Sequence, residues 1–115
     1  MNVKNLIPFV LVLVSLNISA KYIGPNATEN TLAVSQISDA RLGSYIVVTG
    51  NITSHLREEY YNFQDESGQI RVEIEDSIWQ SREVASETKV RMQAEIEFGL
   101  SGRYLWVTSL ELVAD

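Results

Sequence analysis

The segment that decides the fold is residues 61–74, which read YNFQDESGQIRVEI. Apolar side chains fall at every second position on both sides of Glu66-Ser67-Gly68, and polar side chains fill the positions between them. A period of two is typical of a β-strand with one buried face, and the Asp-x-Ser-Gly turn joins two such strands. Asp65 is explained by this turn, because a short carboxylate accepts hydrogen bonds from the backbone just after it. The segment therefore predicts a β-hairpin with one face in a core.

The same period continues on both sides of the hairpin. Tyr45 to Thr53 predicts a strand rich in β-branched residues, with Gly50 on its buried face where the chain must coil or bulge. Val90 to Phe98 and Tyr104 to Val113 predict two more strands, and the polar run from Gln80 to Thr88 predicts a loop. Together with the hairpin, these segments give five strands.

A short helix is predicted before the strands. Val34 to Ala40 fits one or two helical turns, with Ser35 as the N-cap and with Val34 and Ile37 facing the core. Five strands that each carry one apolar face are best buried by a sheet closed on itself. We therefore predict an all-β fold, a five-stranded OB-fold barrel with a short N-terminal helix. The alternative is an open antiparallel sheet covered by that helix.

The N-terminus has the features of an export signal. Lys4 precedes an apolar run from Leu6 to Leu16, and Asn17-Ile18-Ser19-Ala20 ends on a small residue suited to cleavage. The apolar run is about half the roughly 20 residues that a membrane-spanning helix needs. We expect a cleaved signal peptide at residues 1–20, a flexible leader at 21–30 rich in Gly, Pro and Asn, and the OB-fold domain at 31–115. This arrangement predicts an exported protein without a stable membrane anchor.

Charge and cysteine content limit the partners. Cleavage after Ala20 removes Lys4 and leaves 8 basic against 15 acidic residues, a formal charge of −7. Such a surface repels phosphate backbones, so nucleic acid is not an expected partner. With no cysteine, the chain has neither a disulfide nor a thiol for lipid attachment. An envelope component, a cationic peptide or a protein partner remains open, and the oligomeric state is not determined.

The sequence resembles a known family, the small periplasmic bacterial OB-fold proteins of the YgiW/YdeI type. The matching features are Gly24-Pro25, Val47-Val48-Thr49-Gly50-Asn51-Ile52, the hairpin pattern from Tyr61 to Ile74, Trp79 and the final strand from Val107 to Val113. The resemblance implies a non-enzymatic periplasmic protein that contributes to tolerance of envelope stress, including oxidative stress and cationic antimicrobial peptides. The turn from Phe98 to Tyr104 is more apolar here than is usual in the family.

The candidates for binding are four aromatic residues and two rows of outward-facing polar side chains, one from Arg71 to Glu75 and the other from Arg91 to Glu97. OB-fold barrels use the outer face of their second and third strands, and exposed rings stack on sugars, bases or peptide side chains. The candidate ligand-binding residues are Tyr60, Asn62, Gln64, Arg71, Glu73, Glu75, Trp79, Arg91, Glu95, Glu97, Tyr104 and Trp106. The competing interpretation is a solvated face with cross-strand ion pairs, a Trp79 that plugs one end of the barrel, and a Trp106 packed beneath the N-terminal helix.

No catalytic, metal or cofactor site is predicted. His55 stands alone in an expected solvent-exposed turn, without the partners of a catalytic triad or a multi-histidine metal site. Asp65, Glu66 and Asp76 do not match the spacing of an EF-hand calcium loop. Glu73 and Glu75 resemble the carboxylate pair of a glycosidase, so a small hydrolase is the alternative function, but both lie on one strand.

Overall fold

The alternating segments form a barrel in the computed structural model, which describes residues 30–114. A 3-10 helix at Val34–Asp39 precedes the strands β1 (Tyr45–Arg57), β2 (Tyr60–Asp65) and β3 (Gly68–Glu73). A helical turn α1 (Asp76–Trp79) is followed by β4 (Lys89–Gly99) and β5 (Gly102–Leu112). The predicted signal peptide and almost all of the predicted leader lie outside the described residues. No helix within residues 30–114 has the length and hydrophobicity needed to cross a bilayer.

The five strands close into a barrel in the order β1-β2-β3-β5-β4. Neighbouring strands are antiparallel except β3 and β5, which are parallel and pair only at Val72 with Leu105 and at Glu73 with Trp106. The predicted OB-fold barrel is confirmed, and the open-sheet alternative is wrong. Closure leaves every strand with a neighbour on both sides, so each apolar face lies inside the barrel.

The core is built by the residues that the period of two placed inward. Phe63, Val72, Ile74 and Leu105 are fully buried. The other core side chains include Val34, Ile37, Ile46, Val48, Ile52, Val90, Met92, Ala94, Ile96, Val107 and Leu110. Alternation from Val90 to Phe98 would place Phe98 on the same apolar face as Val90 and Met92, and this position is wrong, since the Phe98 side chain is 69% exposed. Phe98 lies one residue from the end of β4, beyond the part of the strand that the barrel covers.

Gly50 marks the place where two strands approach closely. A Cβ atom at this position would lie 2.4 Å from the backbone oxygen of Gln64 and 2.9 Å from the ring of Phe63. β1 pairs with β4 before this point and with β2 after it, so the strand passes from one neighbour to the other here. Gly50 is buried as predicted, but the register shifts of β1 lie between Ile52 and Ser54 and between His55 and Arg57 rather than at Gly50. The close approach of β2 is what requires a residue without a side chain here.

The N-terminal 3-10 helix is held to the barrel by the β2–β3 turn and by Arg103. Asp65 Oδ2 accepts the Val34 N–H at 2.9 Å, and Arg103 Nη1 donates to the carbonyl oxygens of Ile37 and Ala40. The predicted burial of Val34 and Ile37 is confirmed. The predicted N-cap is wrong: Ala33 holds that position, and the Ser35 N–H donates to Ser67 Oγ at 2.9 Å. The barrel supplies the acceptors that a capping side chain would otherwise provide.

The helical turn α1 and the position of His55 differ from expectation. α1 was not predicted, because a single turn of four residues carries no helical periodicity. Its Trp79 packs against the core and meets Tyr61 edge to face, with ring centroids 5.2 Å apart, as the plug interpretation predicts. His55 lies in β1 rather than in a turn, where its exposed ring stacks on Tyr61 at 4.7 Å. β1 is longer than expected and carries His55 past the predicted end at Thr53.

Candidate functional site

The strand order brings the two predicted outward rows together on either side of β5. Trp106 of β5 is in register with Glu73 of β3 on one side and with Glu95 of β4 on the other. Side chains in register on neighbouring strands lie about 5 Å apart at Cβ. An indole ring is therefore flanked by two carboxylates on the outside of the barrel.

The next position along the strands carries a cluster of two tyrosines and an arginine. Tyr104 of β5 is in register with Glu97 of β4. The Arg71 guanidinium carbon lies 4.9 Å from the centroid of the Tyr104 ring and 5.2 Å from that of Tyr60. The two tyrosine rings meet edge to face at 6.1 Å. We call Tyr60, Arg71, Glu73, Glu95, Glu97, Tyr104 and Trp106 the acidic–aromatic face.

All seven residues of the acidic–aromatic face are half-buried. The structure records two ion pairs among residues 30–114, Arg57 with Glu58 at 3.2 Å and Arg91 with Glu111 at 3.1 Å, and neither lies in this face. The alternative interpretation, a solvated surface with cross-strand ion pairs, therefore fits Arg91 and does not fit the acidic–aromatic face. Among the described residues, Glu73, Glu95 and Glu97 therefore have no cation paired with them.

The pKa values of the face reflect this crowding. Partial burial, with the charges of Glu75 and Glu59, raises the pKa of Glu73 above its usual value, although Arg71 acts in the opposite direction. A hydrogen bond with Glu95 and some desolvation raise the pKa of Glu97, and the charges of Glu95 and Glu73 add to the effect. The charge of Glu73 on β3 contributes to raising the pKa of Glu97 on β4, although β5 lies between the two strands. A bound cation would relieve this repulsion.

Glu75 orients the indole at the centre of the face. The Trp106 Nε1–H donates to Glu75 Oε2 at 3.2 Å. Glu75 directly precedes α1, so the ring is tied to the end of β3 rather than to the N-terminal helix. The interpretation that Trp106 packs beneath the N-terminal helix is not what these contacts show. The hydrogen bond satisfies the polar atom of the ring and leaves its face half-exposed.

The other predicted site residues lie elsewhere. Arg91 is paired with Glu111, and Trp79 packs on the core. Asn62 Nδ2 donates to Thr53 Oγ1 at 2.7 Å and to Gln69 Oε1 at 2.9 Å, which places its amide in a polar network on β2. Gln64 lines a separate open cleft of about 640 Å³ beside Gly50. Other residues lining that cleft include Thr49, Asn51, Thr53, Ser67, Ser86 and Lys89.

Sequence reasoning missed two contributors to the site. Tyr45 is in register with Glu95, whose charge and hydrogen bond raise the pKa of the Tyr45 hydroxyl. It extends the row of Tyr60, Glu73, Trp106 and Glu95 onto β1. Glu59 of the β1–β2 turn acts on Glu73. The alternation places Tyr45 outward, but nothing in the sequence tells which β4 residue is its neighbour.

The chemistry of the face suits binding of positive charge. Aromatic faces attract cations through their quadrupole, and half-buried carboxylates attract them more strongly than solvated ones. No group of three or more His, Cys, Asp or Glu side chains in the described part of the chain is arranged to hold a metal ion.

The strand order, the parallel β3–β5 closure and the short helix after β3 define the class of protein, an OB-fold barrel. The chain belongs to the bacterial OB fold (BOF) protein family, whose model matches residues 14–112. The resemblance found in the sequence is thereby confirmed.

Named relatives support the same assignment. The calcium-regulated OB-fold protein CarO of Pseudomonas aeruginosa is 29% identical, covering 86% of this chain and 85% of that protein. Protein YgiW of Escherichia coli K12 is 30% identical over 64% of this chain and 65% of that protein.

Two solved structures share the fold. The structure of the hypothetical protein ygiW from E. coli matches with a TM-score of 0.71 at 23% identity, covering 83% of this chain and all of that one. A replication protein A heterotrimer bound to ssDNA matches with a TM-score of 0.57 at 18% identity, over 73% of this chain and 80% of that one. At these identities the likenesses concern the fold alone.

Proposed function

We propose that this protein is a non-enzymatic binding module of the bacterial periplasm, whose acidic–aromatic face binds cationic peptides or the basic segment of a partner protein. The observation that carries the proposal is the register Glu73–Trp106–Glu95, an indole between two carboxylates that have no ion-pair partner within residues 30–114. A lysine or arginine side chain placed there meets a ring face and two negative charges at once. Such pairing combines cation–π attraction with a partly desolvated ionic contact.

The repulsion within the face favours this ligand class. Glu73, Glu95 and Glu97 are held near one another by strand pairing, and the pKa values of Glu73 and Glu97 are raised. Binding a cation removes part of an unfavourable charge interaction that is already present in the free protein. The gain is therefore larger than at isolated surface carboxylates, which contribute little.

The compartment and the biological role rest on the sequence. The signal-like residues 1–20 support export, and the resemblance to the YgiW/YdeI-type proteins supports a role in tolerance of oxidative stress and cationic antimicrobial peptides. A protein that captures cationic peptides on an acidic face would lower their free concentration near the membrane. Nucleic acid is disfavoured as a ligand, because the negative net charge repels a phosphate backbone.

The experiment is an NMR titration of the isotope-labelled mature protein with a synthetic peptide of alternating lysine and leucine. The expected result is a set of shift changes confined to the face, including the indole N–H of Trp106, and weakened by added salt. A neutral serine–leucine peptide of the same length is the control. Soluble peptidoglycan fragments form the second arm of the experiment. Shift changes with the fragments and none with the lysine peptide would overturn the proposal in favour of a glycan ligand.

A further inference from the structure

Arg71 differs from the other arginines of the barrel in how its guanidinium is used. Within residues 30–114, Arg57 and Arg91 form ion pairs, Arg82 and Arg103 donate to backbone carbonyl oxygens, and Arg41 is exposed to solvent. Arg71 is half-buried and forms no ion pair, although Glu73 lies two residues along its own strand. Its Nε atom is buried without a hydrogen-bond acceptor. The guanidinium is therefore held by ring contacts rather than by hydrogen bonds.

The geometry leaves part of the guanidinium available. Its central carbon lies over both tyrosine rings, 5.2 Å from the centroid of Tyr60 and 4.9 Å from that of Tyr104. Of the Arg71 nitrogens, only Nε is recorded as buried without an acceptor, so the Nη donors remain accessible to an oxygen of a ligand. The space beside the Nη2 atom is bordered by Gly99, at which a Cβ atom would lie 3.4 Å from Nη2 and 3.2 Å from the Tyr104 ring.

We propose that Arg71 anchors the ligand of the acidic–aromatic face by donating hydrogen bonds to a carbonyl or carboxylate oxygen of the bound peptide. The inference rests on the proposed function and specifies the ligand as a segment that presents an oxygen acceptor beside a positive charge. The acceptor lies on Arg71, next to Gly99, and the neighbouring cationic side chain lies against Trp106 between Glu73 and Glu95.

The charges around Arg71 argue for this mixed ligand. An anion without positive charge of its own would be repelled by Glu73 and Glu97, which influence Tyr104 beside Arg71. A ligand that offers only cations would be repelled by Arg71 and would leave its donors unused. A peptide backbone with lysine or arginine side chains satisfies both groups, because the carbonyl oxygen and the ammonium are a few bonds apart.

The direction in which Arg71→Gln changes the affinity distinguishes an Arg71 anchor from long-range electrostatic attraction. Replacing Arg71 with glutamine makes the face more negative, so long-range attraction alone predicts tighter binding of a cationic peptide. Loss of the anchor predicts weaker binding. Arg57→Gln is the matched control, because Arg57 also lies over the Tyr60 ring, at 5.3 Å, but is already paired with Glu58.

The test measures affinity for the lysine–leucine peptide by calorimetry with wild type, Arg71→Lys, Arg71→Gln and Arg57→Gln. We expect both Arg71 variants to bind roughly tenfold more weakly, the loss typical of one charged hydrogen bond, and Arg57→Gln to change affinity by less than about twofold. Gly99→Leu, which fills the space beside Nη2, should weaken binding while Arg71 is retained. Thermal unfolding of each variant checks that the barrel is intact, and Gly99→Leu tests the inference if the Arg71 variants do not fold.

Two forms of the peptide distinguish the source of the oxygen. If a free C-terminus binds more tightly than an amidated one only while Arg71 is present, the terminal carboxylate is the acceptor. Equal binding of the two forms, both weakened by Arg71→Lys, assigns a backbone carbonyl. Unchanged or tighter binding by Arg71→Gln overturns the inference while the proposed function stands, whereas failure of wild type to bind any cationic peptide overturns both.

Discussion

Glu73 and Trp106 are direct neighbours in the parallel pairing of β3 with β5, which is only two residue pairs long. This short pairing closes the barrel and brings the last strand of the chain beside the central hairpin. Trp106 is also in register with Glu95 on its other side. One closure contact therefore creates both the barrel and the centre of the acidic–aromatic face.

Charge reversal on β4 should abolish binding of cationic peptides. In the double variant Glu95→Lys, Glu97→Lys, the indole of Trp106 loses one flanking carboxylate and gains a repelling ammonium, and we expect affinity to fall at least tenfold. Glu83→Lys, Glu87→Lys carries the same change in net charge in the loop between α1 and β4 and is the control. Similar losses in the two double variants, measured by calorimetry at low and high salt, would contradict a localised site.

Binding should weaken as the pH falls, beginning above the ordinary carboxylate range. The pKa values of Glu73 and Glu97 are raised from 4.5, so these groups take up protons and lose their attraction for cations at a higher pH than solvated glutamates do. Affinity measured from pH 7 to pH 4 should begin to decline at a higher pH than that at which solvated glutamates ordinarily take up protons. Glu97→Gln should flatten the upper part of this profile, and Glu83→Gln should leave it unchanged.

The same carboxylates should lower stability at neutral pH. A raised pKa in the folded protein means that the ionised form is penalised by folding, so the penalty is present above the folded pKa and disappears as the pH falls below about 4.5. Glu97→Gln should therefore raise the Tm at pH 7 and have little effect near pH 4. A Tm that falls at pH 7 would contradict the repulsion described here.

Asp65 should stabilise the fold through the β2–β3 turn. Burial alone would raise its pKa, but hydrogen bonds from the Ser67 hydroxyl and the N–H groups of Val34, Ser67 and Gly68 lower it from 3.8. The stabilisation is present above pH 3.8 and is lost as the pH falls through the lower folded pKa. Asp65→Ala should cost about 1–2 kcal/mol in urea unfolding at pH 7, since the site is partly open to water. Glu66→Ala, in the same turn, should be nearly neutral.

Substitutions at Gly50 and Gly68 together test whether a neighbouring strand approaches Gly50 too closely for a side chain. Gly50→Ala places a methyl group 2.4 Å from a backbone oxygen, which must move, and we expect a loss of about 2–4 kcal/mol or failure to fold. At Gly68, a Cβ atom would lie 3.6 Å from Val34, an ordinary contact. Gly68→Ala should therefore change the free energy of unfolding by less than about 1 kcal/mol. Equal effects of the two substitutions would contradict the close approach at Gly50.

Much of the fold follows from local pattern. The period of two placed Phe63, Val72 and Ile74 inward, because a strand with one apolar face has one way to bury it. The hairpin turn at Asp65 was also predictable, since its hydrogen bonds join groups two and three residues apart. Phe98 was misplaced because periodicity does not tell where the barrel stops covering a strand.

The candidate site was predictable as a set of residues but not as an arrangement. Outward-facing glutamates and aromatic residues could be listed from alternation, and seven of the twelve listed residues meet in the acidic–aromatic face. Arg91 and Trp79 lie outside the acidic–aromatic face. Arg91 forms an ion pair with the exposed Glu111 on β5, and Trp79 packs against the core. Alternation tells which way a side chain points and not which side chains are beside it.

The sequence alone determined the strands, the turn chemistry and the acidic charge, and it favoured a closed barrel over an open sheet, because these depend on spacing along the chain and on the need to bury one face of each strand. Only the tertiary structure decided that β5 lies between β3 and β4, that Trp106 stands between Glu73 and Glu95, and that Arg71 rests between Tyr60 and Tyr104. These relationships join residues far apart in the chain. They are set by strand order and register, which are fixed only when all five strands pack around one core.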